Sequence, residues 1–181
     1  MEEKFSTVAT GGTFDEIHAG HIALLDKAFQ VGNKVIIGVS SDKFAADRGK
    51  NLNHNFEARI ANLKSTIEKE FGDVHYEIAK LDGEFGPAVT TGDVEALVTS
   101  TETQSKGKLL NEMRARIGVK PAKIIAVELV KAEDGSIISS TRIRAGEIDR
   151  RGRLLLKRSS KKPSPLTSAG GLVKKRRSSS I

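Results

Sequence analysis

The chain has 181 residues, 38% of them hydrophobic, which suits one domain with a substantial core and at most a short appendage. It contains no cysteine, which excludes disulfides, zinc–thiolate sites and cysteine nucleophiles. The net charge of +7 is uneven, because residues 150–181 hold eleven Lys or Arg and no acid, leaving 19 basic and 23 acidic side chains in residues 1–149. The folded body is therefore acidic, so no specific nucleic-acid partner is expected.

The remaining composition favours a cytoplasmic protein. No apolar run approaches the roughly 18–20 residues that span a bilayer, so we expect no membrane partner. The first residues, Met1-Glu2-Glu3-Lys4, lack the apolar region of a signal peptide. The absence of cysteine also suits a reducing compartment.

Apolar patterns in the first half of the chain predict strands alternating with helices. One helix is marked by apolar residues Ile22, Leu25 and Phe29 and closes at Gly32-Asn33. A polar loop at 40–55 precedes a second amphipathic helix. In order, these elements are a strand at Phe5–Thr10, a helix at Ala19–Val31, a buried strand at Lys34–Val39, a helix at Phe56–Phe71 and a strand at Val74–Ile78.

The second half continues the alternation after a Gly-rich loop at 82–93. We predict a strand at Ala96–Thr99, a helix ending at Gly118, a strand at Lys123–Val130 and a short helix beyond Thr141. The order predicts an α/β protein with a Rossmann-like, doubly wound, five-stranded parallel sheet over residues 1–149. Residues 150–181 are expected to be a basic, disordered tail.

Residues Gly11–His21 concentrate most of the chemistry. Glycines after a strand let phosphate approach the backbone, and a helix beginning near Ala19 would offer free amides at its positive end. His18 and His21 are three residues apart, so both rings can face a bound phosphate. His-x-x-His lacks the glutamate and third ligand of a zinc site, and the chain has neither a P-loop nor a dinucleotide fingerprint.

A second segment, Ile138–Arg144, also follows a predicted strand. Its hydroxyls at Ser139, Ser140 and Thr141 either cap a short helix or hold phosphates, with Arg144 adding positive charge. Ligands of doubly wound sheets bind beyond the carboxyl ends of the strands. We therefore expect the two segments to share one site.

The two segments resemble paired signatures of the nucleotidyltransferase superfamily, G-T-F-D…H-x-G-H and I-S-S-T-x-I-R. The connection at 82–103 makes the chain most similar to archaeal phosphopantetheine adenylyltransferases, over about residues 5–149. The resemblance implies transfer of AMP from ATP to 4′-phosphopantetheine, with Mg²⁺ accompanying ATP. Oligomeric state is not predicted.

The resemblance also implies roles for individual residues. His21 would bind the α-phosphate, His18 the nucleotide phosphates, and Thr13 with the Phe14 amide the reacting centre. Of two candidate loop lysines, Lys43 is preferred over Lys50 for gripping phosphate. Arg59 would lie near the pantetheine phosphate. Further nucleotide contacts are implied for Gly12, Glu102, Asn111, Arg114, Ser139, Ser140, Thr141 and Arg144.

Two alternatives remain at this point. Transferases acting on nicotinamide mononucleotide, FMN or a phospho-alcohol would carry similar motifs. A nucleic-acid-binding protein would use the basic tail, but one Tyr and no Trp provide few stacking surfaces. We interpret Lys174–Ser180 as a solvated extension, with polyanion binding, targeting and phosphorylation as alternatives.

Overall fold

A computed structural model describes residues 4–155 of the chain. Its strands form one parallel sheet in the order β3-β2-β1-β4-β5. They are β1 (Phe5–Gly12), β2 (Gly32–Ser40), β3 (Tyr76–Leu81), β4 (Val94–Ser100) and β5 (Lys123–Val127). The winding reverses between β1 and β4, which is where such sheets bind ligands. The predicted fold class is confirmed.

Helices cover both faces of the sheet. They are α1 (Ala19–Val31), α2 (Asp42–Asp47), α3 (Phe56–Phe71), α4 (Pro87–Thr90), α5 (Ser105–Arg116) and α6 (Ser140–Arg144), with a 3₁₀ turn at Thr101–Thr103. Successive residues of β1 pack on opposite faces of the sheet, because side chains alternate along a strand. Val8 packs with Leu25 and Leu63 on one face, and Ala9 packs with Leu110 on the other.

Both long helices, α1 and α3, match their predicted bounds, whereas several strand ends differ. β2 begins at Gly32, where we expected the turn that closes α1, and it pairs there with Phe5. β3 lies later than predicted and β5 ends at Val127, before the predicted Val130. Pairing with neighbouring strands, rather than apolar content alone, sets these limits. The helix α2 within the predicted polar loop was missed.

The folded body extends beyond residue 149, where we predicted that the tail begins. Residues 148–154 form a turn closed by a bridge between Ile148 and Leu154. The carbonyl of Arg150 accepts from the Ala19 amide at 2.9 Å. Residues 150–155 therefore pack with the domain, and the rest of the predicted tail, including Lys174–Ser180, lies outside the described residues. Within residues 4–155, no helix has the length and apolar character to cross a membrane.

Candidate active site

A pocket of about 1240 Å³ opens at the carboxyl ends of the strands. Both sequence segments contribute to its wall, as the sequence predicts. The first supplies Thr13, His18 and His21, and the second supplies Ser140 and Arg144. The two segments are separated by more than a hundred residues in sequence, and the parallel sheet brings them to one edge.

The turn between β1 and α1 is held in an unusual backbone conformation. Phe14 has a φ of 52°, which is sparsely populated by residues other than glycine, and its side chain is fully buried. Arg59 of α3 donates from Nη1 to the Thr13 carbonyl at 2.6 Å and from Nη2 to the Ser40 carbonyl at 2.7 Å. Packing and these bonds together maintain the strained turn.

Two reciprocal hydrogen bonds fix the histidine rings. The Gly20 amide donates to His18 Nδ1 at 3.1 Å, and the His18 amide donates to His21 Nδ1 at 3.3 Å. An acceptor Nδ1 in a neutral imidazole requires the proton on Nε2. Both rings therefore carry an Nε2–H, and their centroids lie 4.0 Å apart.

Gly20 makes this arrangement possible. A Cβ on Gly20 would lie 2.9 Å from the His18 ring carbon Cε1. Any larger residue would therefore displace the His18 ring from its position over the Gly20 amide. This close approach explains a glycine inside the first turn of a helix, where it costs stability relative to alanine.

Both histidines are neutral at physiological pH. Desolvation lowers the pKa of His18 to about 4. Desolvation, together with the charges of His18 and Lys50, lowers the pKa of His21 to about 3. The rings can therefore donate neutral hydrogen bonds to phosphate at pH 7.

The expected free amides at the start of α1 are absent from the described structure. The Ala19 amide donates to the Arg150 carbonyl, the Gly20 amide to His18, and the His21 amide to the His18 carbonyl. The prediction was wrong because the helix cap and the C-terminal turn already use these donors. At this end of α1, the Nε2–H groups are the donors left for a ligand.

The second segment forms the short helix α6, and its hydroxyls do cap it in part. Ser139 Oγ accepts from the Arg142 amide at 3.3 Å, while Ser140 Oγ donates to the Glu16 carbonyl at 3.3 Å. Arg144 donates to Thr141 Oγ1 at 3.5 Å. Within residues 4–155, no acceptor meets the backbone amides of Ser140 and Thr141. These amides lie at the pocket wall with Arg144.

The structure reverses our preference between the loop lysines. Lys50 lines the pocket and donates to Thr13 Oγ1 at 2.8 Å. Lys43 lies on α2 with its side chain 85% exposed, paired with Asp47 at 2.6 Å. Helix α2 turns Lys43 away from the site, so its predicted phosphate contact is contradicted. Desolvation and neighbouring cations, with Arg48 the foremost, lower the pKa of Lys50.

Three further predicted contacts are replaced by structural roles. Asn111 makes two hydrogen bonds with the backbone of Ala122, at 2.8 and 2.9 Å. Arg114 is buried and donates to the backbone carbonyls of residues 88, 94 and 120. Arg59 is fully buried and does not reach the pocket. Of the predicted contacts at 102–114, Glu102 alone lines the pocket.

An ionic bridge at the pocket wall was missed by the sequence analysis. Glu84 lies between Arg48 Nη1, at 2.7 Å, and Lys106 Nζ, at 2.6 Å. Although burial opposes ionisation, hydrogen bonds and charge from these two cations lower the pKa of Glu84. Lys106 had a detectable signal, because a cation in the first turn of a helix opposes the helix dipole unless an anion offsets it.

Comparisons with known proteins agree with this architecture. The sequence model of the cytidylyltransferase-like family matches residues 9–146. A phosphopantetheine adenylyltransferase of Methanothermobacter thermautotrophicus is 43% identical over 155 residues, covering 86% of this chain and 93% of that protein. One from Methanosarcina barkeri is 44% identical over 151 residues, covering 81% and 91%.

Solved structures show the same fold. A protein of unknown function from Archaeoglobus fulgidus superimposes with a TM-score of 0.60 at 34% identity, covering 67% of this chain and 88% of that one. A tyrosyl-tRNA synthetase from Archaeoglobus fulgidus has a TM-score of 0.56 at 13% identity, covering 78% of this chain and 60% of its own. At that identity, the second likeness concerns the fold alone.

Proposed function

The chain belongs to the cytidylyltransferase-like family and, within it, to the phosphopantetheine adenylyltransferases, so we propose that it transfers AMP from ATP to 4′-phosphopantetheine. The products are dephospho-CoA and pyrophosphate, which places the enzyme in coenzyme A biosynthesis. A cysteine-free chain suits the reducing cytoplasm in which we expect it to act.

One observation carries this proposal on the structural side. Two neutral imidazole Nε2–H donors, Lys50 and Arg144 face a single pocket at the topological switch point. This combination suits the oxygens of a phosphoryl group, because charge develops on them as the new bond forms. The pocket is also large enough for a nucleotide together with a second substrate.

The reaction needs no general base. The phosphate of 4′-phosphopantetheine is ionised at neutral pH, so one of its oxygens attacks the α-phosphorus of ATP directly. The bond from that phosphorus to the bridging oxygen breaks, and pyrophosphate leaves with the electron pair. The protein's tasks are alignment of the two substrates and stabilisation of charge.

We assign the reacting centre to the first segment. His21 donates from Nε2 to the α-phosphate, and His18 donates to the neighbouring nucleotide phosphate. Thr13 and the Phe14 amide contact the reacting phosphates at the strained turn. Lys50, which already reaches Thr13 Oγ1, supplies positive charge there.

We assign the departing pyrophosphate to the second segment. The amides of Ser140 and Thr141 and the guanidinium of Arg144 bind the β- and γ-phosphates, with Ser139 capping the helix that presents them. Gly12 and Glu102 lie at the pocket wall, where we propose contacts to the nucleoside.

We propose that Mg²⁺ enters bound to ATP rather than in a protein site. Within residues 4–155, one group of side chains has metal-ligand spacing: Asp15, Glu16 and His54. Arg144 and Arg150 already pair with the two carboxylates, at 3.1 and 3.0 Å. These donors are therefore occupied by cations and do not fit a resident magnesium ion, which prefers free oxygen ligands.

An acceptor assay tests the proposed function. The purified protein, ATP and 4′-phosphopantetheine should form dephospho-CoA and pyrophosphate in equal amounts, whereas nicotinamide mononucleotide and FMN should give neither adenylylated product nor pyrophosphate. Faster turnover with nicotinamide mononucleotide would overturn the substrate assignment.

The role of His21 is tested in the same assay. H21A should lower kcat by roughly 10²–10³-fold, as loss of a preorganised donor does in other enzymes. H75A is the matched control, because His75 lies outside the pocket and should leave kcat unchanged. Turnover of H21A close to that of H75A would remove His21 from the reacting centre.

A further inference from the structure

Asp15 is a buried acidic residue at the wall of the pocket for which we propose phosphate binding. Its side chain is 2% exposed. Its carboxylate accepts from the backbone amides of Asn53 and His54, each at 3.0 Å, and contacts His54 Nδ1 at 3.1 Å. Arg144 Nη1 donates at 3.1 Å to Oδ2, the oxygen that also accepts from the Asn53 amide, while both His54 contacts are to Oδ1. A buried charge is tolerated only with partners of this kind.

These partners belong to the two segments that carry the cations of the pocket. Asn53 and His54 lie near the end of the loop between α2 and α3. Lys50 lies in the same loop, three residues before Asn53. Arg144 lies on α6, about ninety residues later in the chain. One carboxylate therefore fixes both the Lys50 loop and the Arg144 guanidinium, on either side of the β1–α1 turn.

We propose that Asp15 is a positioning residue that holds Lys50 and Arg144 in the arrangement that binds the phosphates of ATP. Asp15 does not touch the substrate in this arrangement; it acts directly on Arg144, and on Lys50 through the loop that carries this lysine. Side chains as long as Lys and Arg lose considerable conformational freedom on binding, so fixing them beforehand strengthens binding. The inference rests on the proposed function only in taking ATP as the ligand.

The adjacent Glu16 serves a different set of contacts. Its carboxylate accepts from the Asn53 side chain at 2.9 Å and from Arg150 at 3.0 Å. Glu16 therefore ties the same loop to the C-terminal turn, but it does not reach Arg144. Of these two acids, only Asp15 contacts both the loop that carries Lys50 and the side chain of Arg144.

The test measures ATP affinity of the full-length protein by calorimetry without acceptor, so it does not depend on turnover. D15N keeps one oxygen for the loop amides but presents no negative charge to Arg144. We expect the Kd for ATP to rise roughly tenfold, the usual scale for losing a hydrogen bond between charged groups. D134N is the matched control, because Asp134 pairs with Arg142 of the same helix at 2.6 Å and should leave the Kd unchanged.

A double-mutant cycle separates positioning from general damage. If Asp15 acts through Arg144, R144A should weaken ATP binding at least fivefold less in the D15N background than in the wild type. Equal effects of R144A in both backgrounds would overturn the proposal. So would a D15N protein that binds ATP as tightly as the wild type, even if its unfolding temperature fell.

His54 provides a second route if D15N fails to fold. The His54 side chain is about one-third exposed, so its removal is tolerated more easily. H54A should raise the Kd for ATP roughly threefold, on the scale of one hydrogen bond. H54N should restore it, because the asparagine amide can place a donor where His54 has Nδ1. Equal Kd values for H54A and the wild type would contradict the proposal.

The two proposals fail in different ways. Tight ATP binding that depends on Asp15, without transfer to 4′-phosphopantetheine, would leave the positioning role intact and overturn the acceptor. If the protein transfers AMP to 4′-phosphopantetheine but D15N leaves its affinity for ATP unchanged, the acceptor assignment stands and the positioning role of Asp15 is overturned.

Discussion

The neutral histidine pair makes the stability of the protein depend on pH. The pKa values of His18 and His21 are about 4 and about 3 in the folded protein, against 6.5 for an ordinary histidine. Below pH 6.5 the unfolded chain therefore binds two protons that the folded protein does not. The free energy of unfolding falls as the pH falls through this window, and the loss is complete once the folded rings protonate.

The magnitude follows from the width of the window. A pH of 5 lies about 1.5 units below 6.5, the pKa of each histidine in the unfolded chain. Each unit is worth about 1.4 kcal/mol, so each ring contributes about 2 kcal/mol to the loss of stability at pH 5. Both rings keep some contact with solvent through the open pocket, which reduces the sum of about 4 kcal/mol. We expect a loss of about 2 to 4 kcal/mol between pH 7 and pH 5 beyond that of the control variant.

Urea unfolding followed by circular dichroism at pH 5, 6, 7 and 8 measures this loss. The control is the double variant H18N/H21N. Its side-chain oxygens can accept from the backbone amides of residues 20 and 18, as the ring Nδ1 atoms of the two histidines do. Asparagine also caps helices well, so α1 should remain intact. The wild type should be more sensitive to acid than this variant. Identical pH profiles would refute the conclusion that the rings are held neutral.

Four further outcomes are expected. K50A should lower kcat/KM at least tenfold in the coupled pyrophosphate assay, while K43A should stay within twofold of the wild type; equal losses would contradict the reassignment. R114A should lower the free energy of unfolding by about 3 kcal/mol or more in urea titrations, because three carbonyls lose their donor, with ATP affinity of the remaining folded protein unchanged. E84Q should lower the KM for the anionic acceptor by freeing Arg48 and Lys106; a higher KM would show that the bridge itself is needed. Removal of residues 156–181 should leave kcat within twofold, and a large loss would give the tail a catalytic role.

The location of the site could be predicted from sequence because it depends on topology. Alternating strands and helices require a parallel sheet, and a parallel sheet gathers the segments that follow its strands at one edge. Gly11–His21 and Ile138–Arg144 therefore had to meet. The helices α1 and α3 were also predictable, because their apolar periodicity is long and regular.

Which basic side chains reach the pocket could not be predicted as well as the location of the site. Lys43 lies within α2, which Ser41 caps, whereas Lys50 lies in the loop that follows this helix. Arg59 and Arg114 resemble ligand-binding arginines in sequence, yet both are buried and bind backbone carbonyls. Whether a helical arginine faces a pocket or a carbonyl depends on how the helix packs, which sequence spacing does not specify.

The strained turn illustrates the same limit. Phe14 follows Gly11-Gly12-Thr13, so the sequence indicates a turn but gives no sign that a phenylalanine takes the positive φ. Contacts from α3, far along the chain, maintain that conformation. The sequence likewise marks Asp15 only as part of a motif, because its partners come from two distant segments.

Isotopic labelling tests the central claim most directly, namely direct adenylyl transfer between two substrates held in one pocket. With ATP labelled at the α-phosphate and 4′-phosphopantetheine as acceptor, the label should appear in dephospho-CoA, and the denatured protein should carry none. With ATP labelled at the γ-phosphate, the label should leave in pyrophosphate. Label retained on the protein in a single turnover, or α-label absent from dephospho-CoA, would contradict the account.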